Sequence, residues 1–151
     1  MSKNEIIQII SGFIGTIGFT VLFNIRGKRM VFTSLGGFLS WTCFVLFSKF
    51  IDSEPICYFL VALLISFYAE IFARVLKSPT TTFITVSLIP LIPGGSLYYT
   101  MANAFKSDLQ GFFERGVYTL QLAAALALGI IVATTVFKII NDALQRRNAQ
   151  V

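Results

Sequence analysis

Five long stretches without charge, laid end to end, constrain this chain more than any other feature of its sequence. Ile6 to Ile25 and Met30 to Ser48 contain no Asp, Glu, Lys or Arg. Pro55 to Ala73 contains one, Glu70, and both Ser78 to Phe105 and Gly116 to Phe137 contain none. A helix rises about 1.5 Å per residue, so roughly 20 residues cross about 30 Å of hydrocarbon. One such run also describes a buried helix of a soluble protein. Five in series, joined by short charged connections, describe a membrane bundle. The composition agrees: 13% of the 151 residues are charged, against about 25% in a soluble domain. The expectation is an all-α integral membrane protein of about five transmembrane helices. Its spans lie at about 6–25, 30–48, 55–73, 80–104 and 116–138 of a single bundle covering residues 1–151.

The first span has the outline of a cleaved signal peptide, with Lys3 ahead of an apolar run. Glu5 weakens the basic region, however, and no small-residue cleavage site precedes Asn24-Ile25-Arg26. A retained helix is expected.

Basic residues set the orientation, because Lys and Arg collect on the cytoplasmic side. Arg26, Lys28 and Arg29 follow span one, Arg74 and Lys77 follow span three, and Lys138, Arg146 and Arg147 follow span five. Those eight share one membrane side. The other side holds Lys3, Lys49, Lys106 and Arg115, together with Glu5, Asp52, Glu54, Asp108 and Glu114. The expected arrangement is a multi-pass protein of the cell membrane (inner or plasma), N-terminus outside and C-terminus cytoplasmic. The net charge of +5 then belongs to helix ends rather than to a nucleic-acid surface, which needs a continuous basic patch.

Enzyme chemistry finds few footholds. There is no histidine, the commonest general base and metal ligand. Cys43 and Cys57 lie in different spans, and Asp52, Asp108 and Asp142 lie in connections or tails. No catalytic residue, cofactor or metal is expected.

Three features rise above a generic bundle. Leu88-Ile89-Pro90-Leu91-Ile92-Pro93-Gly94-Gly95-Ser96 sits near the middle of span four. Pro90 and Pro93 each remove a backbone donor and obstruct the preceding turn, and Gly94 and Gly95 leave the backbone unrestrained. The helix should break there, at a depth where unpaired carbonyls need protein or a wet cavity beside them. A second half-helix starting near Gly94 would present free amides to an anionic group, with Ser96, Tyr98 and Tyr99 within a turn. Pro90, Pro93, Gly94, Gly95, Ser96, Tyr98 and Tyr99 are therefore the expected substrate-binding residues, against the plainer reading of a structural kink.

The second feature is Glu70 and Arg74, four residues apart on one helical face of span three. Two readings stand: an interfacial ion pair that anchors the helix, or a proton-coupling or gating pair, since acids within spans tend to line pathways. The third is small-residue striping: Gly12, Thr16 and Thr20 in span one, Gly36 and Ser40 in span two, Ala125, Gly129 and Ala133 in span five. Such spacing lets helices approach closely. No internal repeat is evident.

Tyr68-Ala69-Glu70, Arg74-Val75-Leu76-Lys77-Ser78-Pro79, Pro90-Leu91-Ile92-Pro93-Gly94-Gly95 and the following Tyr98 resemble the threonine/serine exporter family. The chain is most similar to its small membrane component, equivalent to the C-terminal membrane half of the fused exporters, over roughly residues 10–140. The resemblance implies five spans here and a separate larger subunit with five more. It also implies proton-driven export of threonine and serine, or of succinate in some two-component members. The larger half is missing from this sequence. A five-span unit is the topological inverse of one entering from the other side, so two such halves can pair around a midplane site.

The function expected is thus the membrane component of a secondary transporter exporting a small polar carboxylate-bearing solute. Its partners are the lipid bilayer, the small-molecule substrate, and a larger five-span subunit or further copies of itself, with no nucleic acid. The alternative is a non-transporting scaffold or regulatory subunit, which has no need of a broken helix.

Overall fold

The structure, a computed structural model, describes residues 3–148. Its elements are α1 (Lys3–Leu22), α2 (Lys28–Phe47), α3 (Glu54–Val75), α4 (Thr80–Ser87), a 3₁₀ turn (Ile89–Leu91), α5 (Gly94–Phe105) and α6 (Leu109–Asn148). No strand occurs among the described residues. Helices α1, α2, α3 and α6 are each long and apolar enough to cross a membrane. The α4 segment and the 3₁₀–α5 segment meet at 41°, and taken as one broken span they are together long and apolar enough for a fifth crossing.

Three helices end by the same device. Asn24, Lys77 and Ser107 adopt left-handed backbone angles (φ of 55°, 47° and 58°). In each case the next amide reaches back five residues: Ile25 to Thr20, Ser78 to Ala73 and Asp108 to Asn103, at 2.9, 2.9 and 3.0 Å. Carbonyls left open at the helix end gain a donor this way. The turn into α2 instead uses Gly27, whose φ of 67° suits a residue without a side chain.

Span four breaks where the prolines dictate. Pro90 has no amide for the carbonyl four residues back, and neither has Pro93. The chain tightens to bonds of three-residue reach, from Leu91 to Leu88 at 2.9 Å and Ile92 to Ile89 at 3.1 Å. The Gly94 amide turns back to the Ile92 carbonyl, and α5 begins there.

At its far end α6 runs well past the expected 116–138. It has 40 residues, about 60 Å at 1.5 Å each. Charged residues end the apolar stretch without ending the helix, because outside the hydrocarbon they are good helix formers. The side chain of Arg147 and the C-terminal Val151 lie outside the described residues.

Helix α3 is central and packs most extensively on α6, with α2 and α4 on its other sides. Close approach rests on the small residues. A Cβ on Gly129 of α6 would sit 2.6 Å from the Phe59 carbonyl and 2.8 Å from Ala62 Cβ, both on α3. On α2, a Cβ at Gly36 would meet Ser87 Cβ at 2.9 Å and Tyr68 Cε1 at 3.1 Å, and one at Gly37 would meet Thr16 Cβ at 2.8 Å. Thr16, Thr20, Ser40 and Ala133 are all fully buried. Lipid is as apolar as leucine, so this intimate packing, rather than escape from water, holds the spans together.

Candidate functional site

Two different surroundings flank the break in span four. On the first side, Pro90 faces α1 and α2. A Cβ at Gly12 would lie 3.7 Å from Trp41 Cβ and 3.9 Å from Pro90 Cβ. Gln8, Ser11, Gly12, Trp41 and Pro90 line a cavity of about 260 Å³. The indole Nε1 of Trp41 is buried and has no hydrogen-bond partner among the described residues. An unsatisfied buried donor costs about 1–3 kcal/mol, and the residue that carries this one also lines the cavity. Gln8 and Ser11 add an amide and a hydroxyl at the same level.

On the second side, α5 starts at Gly94 as expected, but its first turn lies at the surface. Gly94 and Gly95 are exposed, and a Cβ on either would meet nothing within 4 Å. Ser96 makes no capping bond. Its hydroxyl lies 2.7 Å from Thr119 Oγ1 on α6, and Thr100 Oγ1 lies 3.2 Å from the same atom. Tyr98 and Tyr99 pack edge to face at 5.4 Å and are both exposed. The guanidinium of Arg115 lies 5.9 Å from the centre of the Tyr99 ring. Pro90 and the Gly94–Tyr99 turn therefore share the break without sharing a cavity, and Pro93, half-buried, is the corner between them.

Glu70 and Arg74 are joined at 2.6 Å between Oε2 and Nη1, and Nη1 also donates to the Glu70 carbonyl at 2.8 Å. The Glu70 side chain is 13% exposed and that of Arg74 45%. Arg74 also covers the Phe137 ring at 4.7 Å, tying α3 to α6. Nearby, Tyr68 donates to the Phe32 carbonyl at 2.8 Å and Ser87 to the Thr33 carbonyl at 3.2 Å, so α2, α3 and α4 are bolted together at this end.

The residues that sequence reasoning passed over are Gln8, Ser11 and Trp41. Gln8 carried a signal: a polar amide inside an apolar span is costly and tends to face protein or a pathway.

Four helices long and apolar enough to cross a membrane, with a bent pair interrupted at Pro90 to Gly94, define a multi-pass helical membrane protein. The profile described as "Threonine/Serine exporter, ThrE" matches residues 8–136, and the chain belongs to the threonine/serine exporter family, a family of transporters rather than enzymes. No curated protein and no solved structure matches the chain.

Proposed function

We propose that this chain is the five-span membrane subunit of a proton-coupled secondary transporter that exports a small carboxylate-bearing solute, threonine and serine or a dicarboxylate such as succinate. The observation that carries the reading is the break at Pro90 with a cavity against it that Gln8, Ser11 and Trp41 help to line. A purely structural subunit gains nothing from a helix interrupted in mid-span, whereas discontinuous helices recur at transporter binding sites. The subunit works without a catalytic step of its own, together with a larger five-span partner of the same family or with further copies of itself. It sits in the cell membrane with the N-terminus outside, a reading supported by the eight-to-four distribution of basic residues. Glu70 is the residue through which protons couple, since it is the single acid within the apolar stretches.

Reconstitution into liposomes tests this, with the chain alone and with a larger five-span family member. Labelled threonine, serine and succinate are followed under an imposed proton gradient. Movement of at least one solute that collapses with the gradient is expected. Co-purification with the partner but no movement of any solute would leave the scaffold reading in its place.

A further inference from the structure

A cavity of about 220 Å³ lies between the end of α1 and the start of α4. Phe23, Ile25 and Val86 line it with apolar surface, and Thr81, Thr82 and Thr85 with hydroxyls. Ile25 closes one uncharged stretch and Ser78 opens another, so both walls stand where hydrocarbon gives way to headgroups. Thr85 lies five residues beyond Thr80, the first residue of α4, and so about 7.5 Å deeper at 1.5 Å per residue. We propose that this cavity seats the headgroup of an anionic phospholipid, its phosphate on the threonines and the start of an acyl chain on Phe23, Ile25 and Val86.

The hydroxyls are available for this. Threonines elsewhere in the spans return theirs to the carbonyl one turn back, as Thr33 does to Arg29 at 2.8 Å and Thr42 to Phe38 at 2.7 Å. Thr81, Thr82 and Thr85 form no side-chain hydrogen bond among the described residues, although the Thr81 carbonyl stands one turn behind Thr85. Three donors therefore line one cavity with no acceptor from the protein.

Charge makes that acceptor an anion. One wall continues into Arg26, Lys28 and Arg29, and the other follows Lys77. The sequence holds no acid between Glu5 and Asp52, nor between Glu70 and Asp108. The ion pairs among the described residues, Lys49–Glu5 and Arg74–Glu70, involve none of these four cations. Arg26 gives its Nε to Asn24 Oδ1 at 2.8 Å, which steadies the guanidinium beside Ile25. Basic pockets between spans on the cytoplasmic side, where this end is placed by its charge, suit lipid headgroups. Leu22 and Phe23 are apolar and exposed, a surface that serves an acyl chain and offers nothing to a dissolved anion.

Native mass spectrometry of the full chain tests the site, with equal amounts of phosphatidylglycerol and phosphatidylcholine carrying the same acyl chains. Phosphatidylglycerol should be retained several-fold over phosphatidylcholine. Thr81→Val, Thr82→Val and Thr85→Val together remove the donors and keep the side-chain shape, and should bring the two lipids level. Thr85→Val alone, at an exposed position, should lower the preference, which keeps the test decisive if the triple variant does not fold. Arg26→Gln should lower it as well. Lys138→Gln removes a cation of α6 that does not line the cavity and should leave the preference intact, which separates a site from general attraction to charge. Equal retention of the two lipids by the unaltered chain, or an unchanged preference in the threonine variants, overturns the proposal. So does release of the lipid by millimolar glycerol 3-phosphate, threonine or succinate, which would make the cavity a site for a dissolved anion.

Discussion

The hydroxyl of Ser96 lies 2.7 Å from that of Thr119, and this contact fastens the first turn of α5 to α6. It occupies the side chain that otherwise would cap the half-helix. Hydrogen bonds between membrane helices contribute about 0.6 kcal/mol on average and up to about 1.7. Ser96→Ala and Thr119→Val should each lower unfolding stability in detergent within that range, and the double variant by less than the sum. Additive losses in the cycle would show that the two hydroxyls do not interact.

Glycines in this fold divide into those that admit a neighbour and those that do not need to. Gly129→Val forces a side chain into the α3 backbone, and Gly36→Val into Ser87 and Tyr68. Overpacking of this kind costs about 1–3 kcal/mol or more, so both variants should lose abundance and thermal stability. Gly94→Val and Gly95→Val meet open space and should insert normally while losing export, as the β-branched side chain stiffens the start of α5 and fills room a ligand would use. Wild-type export of threonine, serine and succinate by both of the latter would reduce the break to a kink.

Glu70→Gln removes the titratable charge and keeps the hydrogen-bonding shape. The lost ion pair is an exposed i,i+4 contact of about 0.3–0.5 kcal/mol, and Arg74 retains its place over Phe137. Expression should be normal, with export abolished or made insensitive to pH. Unaltered export across the pH range would leave Glu70 and Arg74 as a helix anchor only.

Reporter fusions at Gly27, Ser78 and Val151 should all read cytoplasmic. These positions follow spans one, three and five, each an odd number of crossings from an outside N-terminus. An extracellular signal from the Val151 fusion requires an even number of crossings and contradicts the topology.

The spans were legible because charge is excluded from hydrocarbon, and the break because Pro90 and Pro93 cannot donate to the helix whatever surrounds them. Gly36, Ser40 and Gly129 announced close packing for a similar reason: lipid gives no other cause for small side chains in rows. The cavity beside Pro90 was not legible. Gly12, Trp41 and Pro90 belong to three separate elements, and only their packing makes a space between them. Ser96 read as a cap or a ligand contact because its partner, Thr119, lies on another helix. The length of α6 escaped notice because an apolar window measures the bilayer, and a helix outlasts the bilayer wherever its sequence permits.

Trp41 is the only tryptophan in the chain; it lines the cavity beside Pro90, and its indole N–H is buried without a partner among the described residues. Indole fluorescence shifts to longer wavelength when that N–H gains a polar neighbour. Excited at the red edge, where tyrosine does not absorb, the unaltered protein therefore emits from one position only. Water entering the cavity, a solute docking in it, or a second subunit closing over it would each change the colour or the quenching of that emission. The molecule carries its own optical probe at the break in its fourth span.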